Sequence, residues 1–360
     1  MKIKYRSNYK DGTEWSKAAT YNVLALDKIG HEVELEEVSY NNANVYLDDR
    51  IKDIEVTKCD KYDIAINHIL PMHFRNLPDT KNIGVAALET KTLSNKFWLK
   101  KFGLADNIIS CNKSTQQTLE KYNLKSEVLH PLFDFDAVFS SPKTVDIPYL
   151  KTGFNFVFVG DTSTVKNLEA VVRAFHTEFE PFENVNLVII SNSANTEEFC
   201  NSVKKKLKLS GRAKKEVLVV GPTKTVDKFS VIRHCHASII PSFGESWYYN
   251  LLECMALGVP PIYCQDNGVD DILGPDCSFA VQSKEVVCYG ANDTFDDLYT
   301  SKDTWREIDV NYLKYNMRTA YSYLQSPNSM REAVTNKAMM YHYENDKVLQ
   351  QISNFLEETK

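Results

Sequence analysis

The chain has 360 residues, of which 43% are hydrophobic and 25% charged, and it carries a formal net charge of -6 at pH 7. This composition is typical of a globular protein and excludes a collagen-like, coiled-coil or disordered chain. At about 100–200 residues per domain, the length predicts two domains. The apolar runs are only as long as strands, whereas a membrane-spanning helix needs roughly 20 apolar residues. The first residues also lack the apolar core of a secretory signal.

The chain contains eight cysteines, and their spacings include no CxxC pair and no pattern typical of a zinc site or a disulfide framework. We therefore expect reduced, mostly buried thiols, as in proteins of reducing compartments. The expected location is the cytoplasm.

Strands and helices alternate along the first part of the chain. Strands are predicted at residues 2–6, 31–35, 63–67, 82–87 and 107–110. Between the first two strands, Ser16 is expected to cap a helix and Gly30 to end it. Residues 140–152 then have the composition of a linker.

After this linker the alternation begins again, with apolar strands predicted at residues 154–159, 185–190, 217–220 and 237–240. Such alternation predicts parallel sheets covered on both faces by helices. We therefore predict an α/β protein with two doubly wound, Rossmann-like domains that face each other across a cleft. The expected domains are residues 1–150 and 151–340, with a final helix at 341–360 that packs back on the first domain.

The most informative segment is residues 241–260, PSFGESWYYNLLECMALGVP, which lies between two predicted strands. Glu245 precedes a predicted helix and Glu253 lies within it, and eight helical positions span about 12 Å. This is roughly the length of a ribose, a diphosphate and a first sugar ring. Because the amides at a helix N-terminus favour phosphate, the segment predicts that Glu253 binds ribose hydroxyls and Glu245 binds sugar hydroxyls.

This segment resembles the signature of retaining glycosyltransferases with the GT-B fold, above all glycosyltransferase family 4. The resemblance rests on the Pro-Ser pair, the two glutamates and the Ala-x-Gly-x-Pro that follows, and it extends over residues 154–275. The first half of the chain is similar mainly in layout. The resemblance implies an enzyme that moves a hexosyl or pentosyl group from a nucleotide-sugar donor to a hydroxyl acceptor, with retention of anomeric configuration.

The resemblance also implies roles for individual residues. Lys166 matches a lysine that contacts the donor phosphates, where a cation stabilises the leaving diphosphate. Glu245 is implied to contact the donor sugar and Glu253 the ribose. Further donor-binding positions lie in the loops that approach the diphosphate, namely Gly160, Ser246, Trp247, Tyr248 and Tyr249 of the second domain and Gly12 of the first.

Two departures from the family pattern concern the donor. The family often has arginine directly after the glycine that Gly160 matches, but this chain has Asp161, and Lys224 is a candidate replacement for the missing charge. The family also commonly has Phe-Gly where this chain has Trp247-Tyr248, which makes the loop bulkier. These departures leave open a non-catalytic GT-B protein that binds nucleotide sugars without turnover.

The acceptor is expected in the first domain, at the carboxyl ends of its strands. His68 follows one such strand and would position or deprotonate an acceptor hydroxyl, because an unperturbed histidine titrates near neutral pH. The alternative is a strand-end histidine bonded to the backbone. Glu89 follows the next strand, in the segment where the family faces its acceptor.

No cofactor and no metal are expected, because the lysine and the helix amides neutralise the diphosphate. Asp134 and Asp136 form an Asp-x-Asp as in metal-dependent enzymes of another fold, but they lie just before the linker. The nucleotide sugar is therefore predicted to act as a co-substrate on its own.

The acceptor classes left open are a glycan, a lipid-linked saccharide and a hydroxymethylated DNA base. The DNA base is included because the composition, rich in Lys, Asn and Tyr, resembles that of AT-rich microbial or phage genomes. A GT-B epimerase is a third class. The basic stretches at residues 96–101 and 204–215 are either solvated helix faces or contacts with an anionic membrane or a nucleic acid.

Overall fold

The computed structural model describes residues 1–40, 47–141, 150, 152–209, 216–220, 228–291, 298–326 and 328–360. These residues form two compact units, Met1–Asp134 together with Met340–Lys360, and Phe135–Met339. No helix within the described ranges combines the length and the apolar content that crossing a membrane requires.

The first unit begins as an alternation of strands and helices. Its elements are β1 (Lys2–Ser7), α1 (Glu14–Lys28), β2 (Glu32–Glu37), α2 (Asp49–Glu55), β3 (Ile64–His68), β4 (Lys81–Ala86), α3 (Lys96–Phe102), β5 (Asn107–Ser110), α4 (Lys113–Glu120) and β6 (Glu127–Val128). The strands form one sheet in the order β2-β1-β3-β4-β5-β6, and every pair is parallel. The strand order reverses beside β1, so the loops after β1 and β3 lie at the switch point where such sheets bind ligands.

The second unit repeats this plan. Its elements are α5 (Phe135–Ser140), β7 (Phe154–Val159), α6 (Leu168–Glu178), β8 (Val185–Ser191), α7 (Thr196–Lys206), β9 (Val217–Val220), α8 (Lys228–Arg233), β10 (Ala237–Ile240), α9 (Tyr249–Ala256), β11 (Pro261–Cys264), β12 (Phe279–Val281), β13 (Ser283–Val287), β14 (Thr304–Ile308), α10 (Val310–Leu324) and α11 (Met330–Met339). A parallel sheet has the order β12-β11-β10-β7-β8-β9, and β13 and β14 form a separate antiparallel pair. Here the switch point lies between β7 and β10.

The core of the second unit explains why its central strand β7 is apolar at every position except Asn155. All six residues of β7 are buried, because helices cover both faces of the central strand. One face packs against α6, where Val171, Val172 and Phe175 are fully buried. The other face contributes Val157 and Val159 to a second cluster.

The last helix, α12 (Asp346–Thr359), belongs to the first unit. It buries Leu349, Ile352, Phe355 and Leu356 in the same apolar cluster as residues of β1 and α1. The preceding segment adds a backbone bridge between Phe133 and His342.

Three details differ from the sequence-based expectations. The division between the units falls at Asp134, before the expected boundary at 150, because α5 packs against α9 and Arg233 Nη2 donates to the Val138 carbonyl at 2.9 Å. The cap of α1 is Thr13, whose hydroxyl accepts from the Ser16 amide, and Ser16 lies within the first turn. The hairpin of β13 and β14 was not predicted.

Candidate active site

The loop after β7 carries Lys166 and is fastened to the loop after β10. The Val165 carbonyl accepts from the Phe243 amide at 2.9 Å, and Asn167 Nδ2 donates to the Pro241 carbonyl at 3.1 Å. Asn167, the residue directly before α6, adopts the left-handed conformation, which asparagine tolerates well. Because β7 and β10 are parallel neighbours, their carboxyl ends bring these loops to one place.

Glu245 is the most tightly held side chain of this site, and only 1% of the residue is exposed. Its Oε1 accepts from Lys166 Nζ at 2.8 Å and from Ser242 Oγ at 2.7 Å. Its backbone amide donates to Asn267 Oδ1 at 2.9 Å, and Asn267 Nδ2 donates to the Ser242 carbonyl at 3.0 Å. The carboxylate is therefore held by Lys166 and Ser242, and Asn267 holds the backbone of Ser242 and Glu245.

The second carboxylate oxygen of Glu245 is different. Oε2 is buried and accepts no hydrogen bond from any described residue. Buried carboxylate oxygens are normally paired, so this oxygen has unused capacity to accept a hydrogen bond.

An unpredicted hairpin supports the loop that carries Glu245. The Phe243 ring stacks on Trp305 of β14 with centroids 4.8 Å apart, and the Arg306 amide donates to the Phe243 carbonyl at 2.8 Å. Trp305 is fully buried. The loop thus rests on a rigid aromatic contact.

The aromatic residues after Glu245 turn inward. Tyr248 is 3% exposed, its hydroxyl donates to the Val159 carbonyl, and Lys166 Nζ lies 4.6 Å from the centroid of its ring. Trp247 and Tyr249 are also buried. At Gly160, directly after β7, an added Cβ would lie only 3.0 Å from the Phe158 ring, whereas its distance of 3.6 Å to the Tyr248 hydroxyl would be an ordinary contact.

The helix is shorter than the sequence predicted. It begins at Tyr249, and Tyr248 accepts at its N-terminus from the Leu251 and Leu252 amides. Residues 245–248 are therefore not helical, and the expected span of eight helical positions between the two glutamates is wrong. Ser246 lies buried between Glu245 and Trp247 in this non-helical stretch.

Glu253 lies on α9 and has a partner that sequence reasoning missed. Its Oε2 accepts from Lys228, the first residue of α8, and Lys228 Nζ also donates to Asn250 Oδ1 at 3.2 Å. The Glu253 side chain is 5% exposed and that of Lys228 28%. A lysine at a helix N-terminus opposes the helix dipole, and this is the signal that would have pointed to a specific partner.

Asp161, in place of the family arginine, makes a local turn. Its Oδ1 accepts from the Ser163 amide at 2.9 Å and from the Ser163 hydroxyl. Lys224, the candidate replacement, lies outside the described residues. Among the described residues, Lys166 and Lys228 are the cations that contact the two predicted glutamates.

In the first unit, His68 ends β3 and is buried. The Tyr5 hydroxyl accepts from Asn22 Nδ2 at 3.3 Å and shares a hydrogen bond of 2.6 Å with His68 Nδ1. Burial lowers the pKa of His68 to about 3. The imidazole is therefore neutral at pH 7, and it is a weak base. A base this weak is poorly suited to deprotonate an acceptor hydroxyl, which was one of the two roles predicted for His68.

The other predicted positions of the first unit share the edge where His68 lies. Gly12, with a φ of 76°, is in the loop between β1 and α1. Glu89 follows β4 and is half-buried. Since β1, β3 and β4 are adjacent in the sheet, Gly12, His68 and Glu89 follow the carboxyl ends of neighbouring strands.

The two basic stretches have different settings. In α3, Trp98 and Phe102 are buried, while Phe97 is 53% exposed and lies 5.4 Å from Lys101 Nζ. In α7, Lys204 Nζ pairs with Glu216 at 2.7 Å, so this lysine is part of the internal structure. Residues 210–215 lie outside the described residues.

Comparisons with known proteins agree with this architecture. Residues 148–286, fewer than half of the chain, match the family described as glycosyl transferases group 1. The comparison with curated proteins gave no match.

Solved structures are similar over nearly the whole chain. Alr3699/HepE from Anabaena, in complex with UDP and glucose, has a TM-score of 0.68 and 11% identity, and the match covers 99% of this chain and 100% of that one. The lipopolysaccharide outer core galactosyltransferase WaaB has a TM-score of 0.66 and 11% identity, with 100% of both chains covered. A glycosyltransferase from Rickettsia africae has a TM-score of 0.64 and 13% identity, covering 99% and 98%.

These similarities establish the fold alone. Sequence identities this low do not support the assignment of an activity or a substrate. The predicted fold class is confirmed: the chain is an α/β protein with two parallel six-stranded sheets, and it has the GT-B fold, which consists of two Rossmann-like domains.

Proposed function

We propose that the chain is a retaining glycosyltransferase that moves a sugar from a nucleotide-sugar donor to a hydroxyl acceptor. The observation that carries the proposal is the buried Glu245, with Lys166 on one carboxylate oxygen and an unpaired second oxygen. The match of residues 148–286 to glycosyl transferases group 1 and the fold support the same reaction class.

In this proposal the second unit holds the donor. Lys166 lies against the diphosphate and neutralises the charge that develops as the bond to the sugar breaks. Glu245 Oε2 accepts a hydrogen bond from a sugar hydroxyl, and Glu253 accepts from the ribose. The ring of Tyr248 faces the ammonium group of Lys166 and stabilises it by a cation–π interaction.

The reaction requires no nucleophile from the protein. The bond between the anomeric carbon and the phosphate oxygen breaks, and its electron pair stays with the diphosphate. The acceptor oxygen bonds to the anomeric carbon on the same face, and its proton passes to the departing phosphate oxygen. The residues of the second unit stabilise the charge that develops in this step and keep the reacting groups in position.

UDP-sugars are the first donors to test, because the similar Anabaena protein was solved with UDP and glucose. The test incubates the protein with UDP-, GDP-, ADP- and dTDP-sugars and measures release of the nucleoside diphosphate. We expect release with one donor, and about 100-fold less in Lys166→Ala. The matched control is Lys206→Ala, which removes an exposed lysine that pairs with Glu169 and should leave the rate unchanged.

A specific observation also favours the alternative, a nucleotide-sugar binder without turnover. Lys228 already holds Glu253, and Asp161 stands where the family has arginine. Binding of a donor without release of diphosphate, with any acceptor, would support this alternative. Sugar isomerisation without an acceptor would indicate an epimerase.

The acceptor remains a proposal of three classes: a glycan, a lipid-linked saccharide or a hydroxymethylated DNA base. A DNA acceptor requires a flipped base and a rate that falls steeply with salt. A rate on oligosaccharides that does not depend on salt, without activity on modified DNA, would exclude it. Attachment to vesicles of anionic lipid would favour the lipid-linked class.

A further inference from the structure

The second unit has a groove at the edge of its sheet opposite to Lys166 and Glu245. Its volume is about 710 Å³, within the range of sites that hold metabolite-sized ligands. Phe154 begins β7, Asn184 directly precedes β8, and His236 directly precedes β10. The groove therefore lies at the amino ends of the strands, whereas the proposed donor site lies at their carboxyl ends. Its outer wall comes from Tyr321, Gln325 and Arg331.

Arg331 gives the groove its charge. The residue is half-buried, and its guanidinium makes one hydrogen bond to a described residue, from Nη1 to the Gly258 carbonyl at 3.3 Å. No carboxylate of the described residues pairs with it, and none of the described lining residues is acidic. Burial lowers the pKa of Arg331.

A guanidinium has five N–H donors in a planar fork that fits the oxygens of a carboxylate or a phosphate. A half-buried cation without a counter-anion is costly. An oxyanion in the groove would both pair with the charge of Arg331 and accept its remaining hydrogen bonds.

His236 adds a neutral donor. Its Nδ1 accepts from the Asn155 amide at 3.1 Å, so the neutral ring carries its proton on Nε2. Burial lowers the pKa of His236 to about 4, so the ring is neutral at pH 7. The ring is held by stacking on Phe154, with centroids 4.7 Å apart.

The remaining wall is polar and aromatic. Tyr321 packs edge-on against Phe154 at 5.3 Å, and Gln325 Nε2 donates to the Tyr321 carbonyl at 2.9 Å. Asn184 contributes a side-chain amide. Such a mixture of ring faces and amides is suited to a hydroxylated ring, whose faces are apolar and whose rim is polar.

We propose that this groove binds a small ligand that carries a phosphate or a carboxylate on a hydroxylated ring, with the oxyanion on Arg331 and the ring between Tyr321 and His236. The site is separate from the proposed donor site, and it does not depend on the proposed transfer reaction.

The test uses glucose 6-phosphate and glucuronate as charged probes and glucose as the neutral control, with binding measured by calorimetry. We expect at least one charged probe to bind the unmodified protein about tenfold or more tightly than glucose. Tighter binding of glucose 6-phosphate would identify the oxyanion as a phosphate, and tighter binding of glucuronate would identify it as a carboxylate. Arg331→Gln should weaken that binding at least as much, and Lys166→Ala, in the other site, should leave it unchanged.

A second variant covers the case in which Arg331→Gln does not fold. Gln325→Glu places a carboxylate in the groove at an exposed position, where it would pair with Arg331 and exclude an anion. It should also abolish binding of the charged probe. The proposal is overturned if neither charged probe binds better than glucose, if Arg331→Gln or Gln325→Glu binds as well as the unmodified protein, or if Lys166→Ala removes the binding.

Discussion

The ammonium nitrogen of Lys166 lies 2.8 Å from Oε1 of Glu245, although 79 positions separate the two residues in the sequence. Their loops follow β7 and β10, which are neighbours in a parallel sheet. The pair is therefore a product of topology, and it forms at the switch point of a doubly wound sheet. Its consequences can be tested one residue at a time.

Glu245→Gln keeps the size of the side chain and an acceptor for Ser242, but removes the charge that faces Lys166. We expect the transfer rate to fall by about 100-fold, and the free energy of unfolding by about 1–3 kcal/mol because a partly buried lysine loses its counter-charge. Steady-state kinetics and denaturant titration measure these changes. Glu307→Gln, which removes an exposed ion pair with Lys284, should change neither. An active Glu245→Gln protein would contradict the assigned role.

Glu253→Gln tests contact with the ribose. If Glu253 accepts from ribose hydroxyls, the unmodified protein should bind a nucleoside diphosphate more tightly than its 2′-deoxy analogue, by about tenfold for one charge-assisted hydrogen bond. In Glu253→Gln this preference should decrease towards one, as measured by calorimetry. A preference that is the same in both proteins would mean that the ribose lies elsewhere.

Lys228→Ala tests whether Lys228 and the ribose compete for the Glu253 carboxylate. Removing Lys228 leaves a buried Glu253 without its cation, so we expect a loss of about 1–3 kcal/mol in the free energy of unfolding. If the ribose replaces Lys228 on Glu253, a nucleoside diphosphate should restore more stability to this variant than to the unmodified protein. Equal stabilisation of both proteins would mean that the lysine and the ribose do not compete.

Tyr248→Phe keeps the ring beneath Lys166 and removes the hydroxyl that donates to the Val159 carbonyl. We expect a loss of about 1–2 kcal/mol, because a buried carbonyl loses its donor, and a transfer rate within a few-fold of normal. The control is Tyr315→Phe, where the side chain is 68% exposed and no change is expected. A large loss of rate without loss of stability would instead assign the hydroxyl to the donor.

Acid should destabilise the protein through two histidines, the buried His68 and the half-buried His236. The pKa values of His68 and His236 are lowered to about 3 and about 4 by burial, so the folded state binds fewer protons than the unfolded state below about pH 6.5. The contribution of the neutral histidines to the free energy of unfolding is fully present above about pH 6.5, and it is lost as the pH falls towards their lowered pKa values. The thermal midpoint should therefore fall between pH 6.5 and 5, and less steeply in His68→Gln.

The acidic group with the most strongly lowered pKa, Glu34, affects stability at a lower pH than the histidines do. Hydrogen bonds from Lys4, Tyr62 and the Cys59 amide lower the pKa of Glu34 to about 2, although burial opposes them. Its contribution is present above about pH 4.5 and is lost only below it. An identical fall in the midpoint for His68→Gln and the unmodified protein between pH 6.5 and 5 would exclude a contribution from His68.

Much of the fold could be predicted from the sequence because its central strands are buried on both faces. The run at residues 154–159 is buried at every position and apolar at all but Asn155, and the neighbouring strand β10 is also buried throughout. The GT-B fold followed from the resemblance around Glu245 and Glu253. The hairpin of β13 and β14 was missed, because most of its residues are exposed or half-exposed and it carries no continuous apolar run.

The site was less predictable than the fold, since its contacts join distant segments. Asn267 holds Glu245 and Ser242 through contacts that span 22 and 25 positions, which no local pattern encodes. Lys228 lies 25 positions from Glu253, and the one local sign of this contact, a lysine at the start of a helix, does not identify its partner. The inward turn of Tyr248 could not be predicted from its identity, because an aromatic residue in that loop fits a surface position equally well.

The central claim is that Lys166 and Glu245 hold the donor. A crystal structure with a nucleotide sugar, or with its nucleoside diphosphate and free sugar, tests it most directly. We predict the diphosphate against Lys166 Nζ and a sugar hydroxyl about 3 Å from Glu245 Oε2. A nucleotide bound away from both residues, with Glu245 Oε2 facing no ligand atom, would contradict the account.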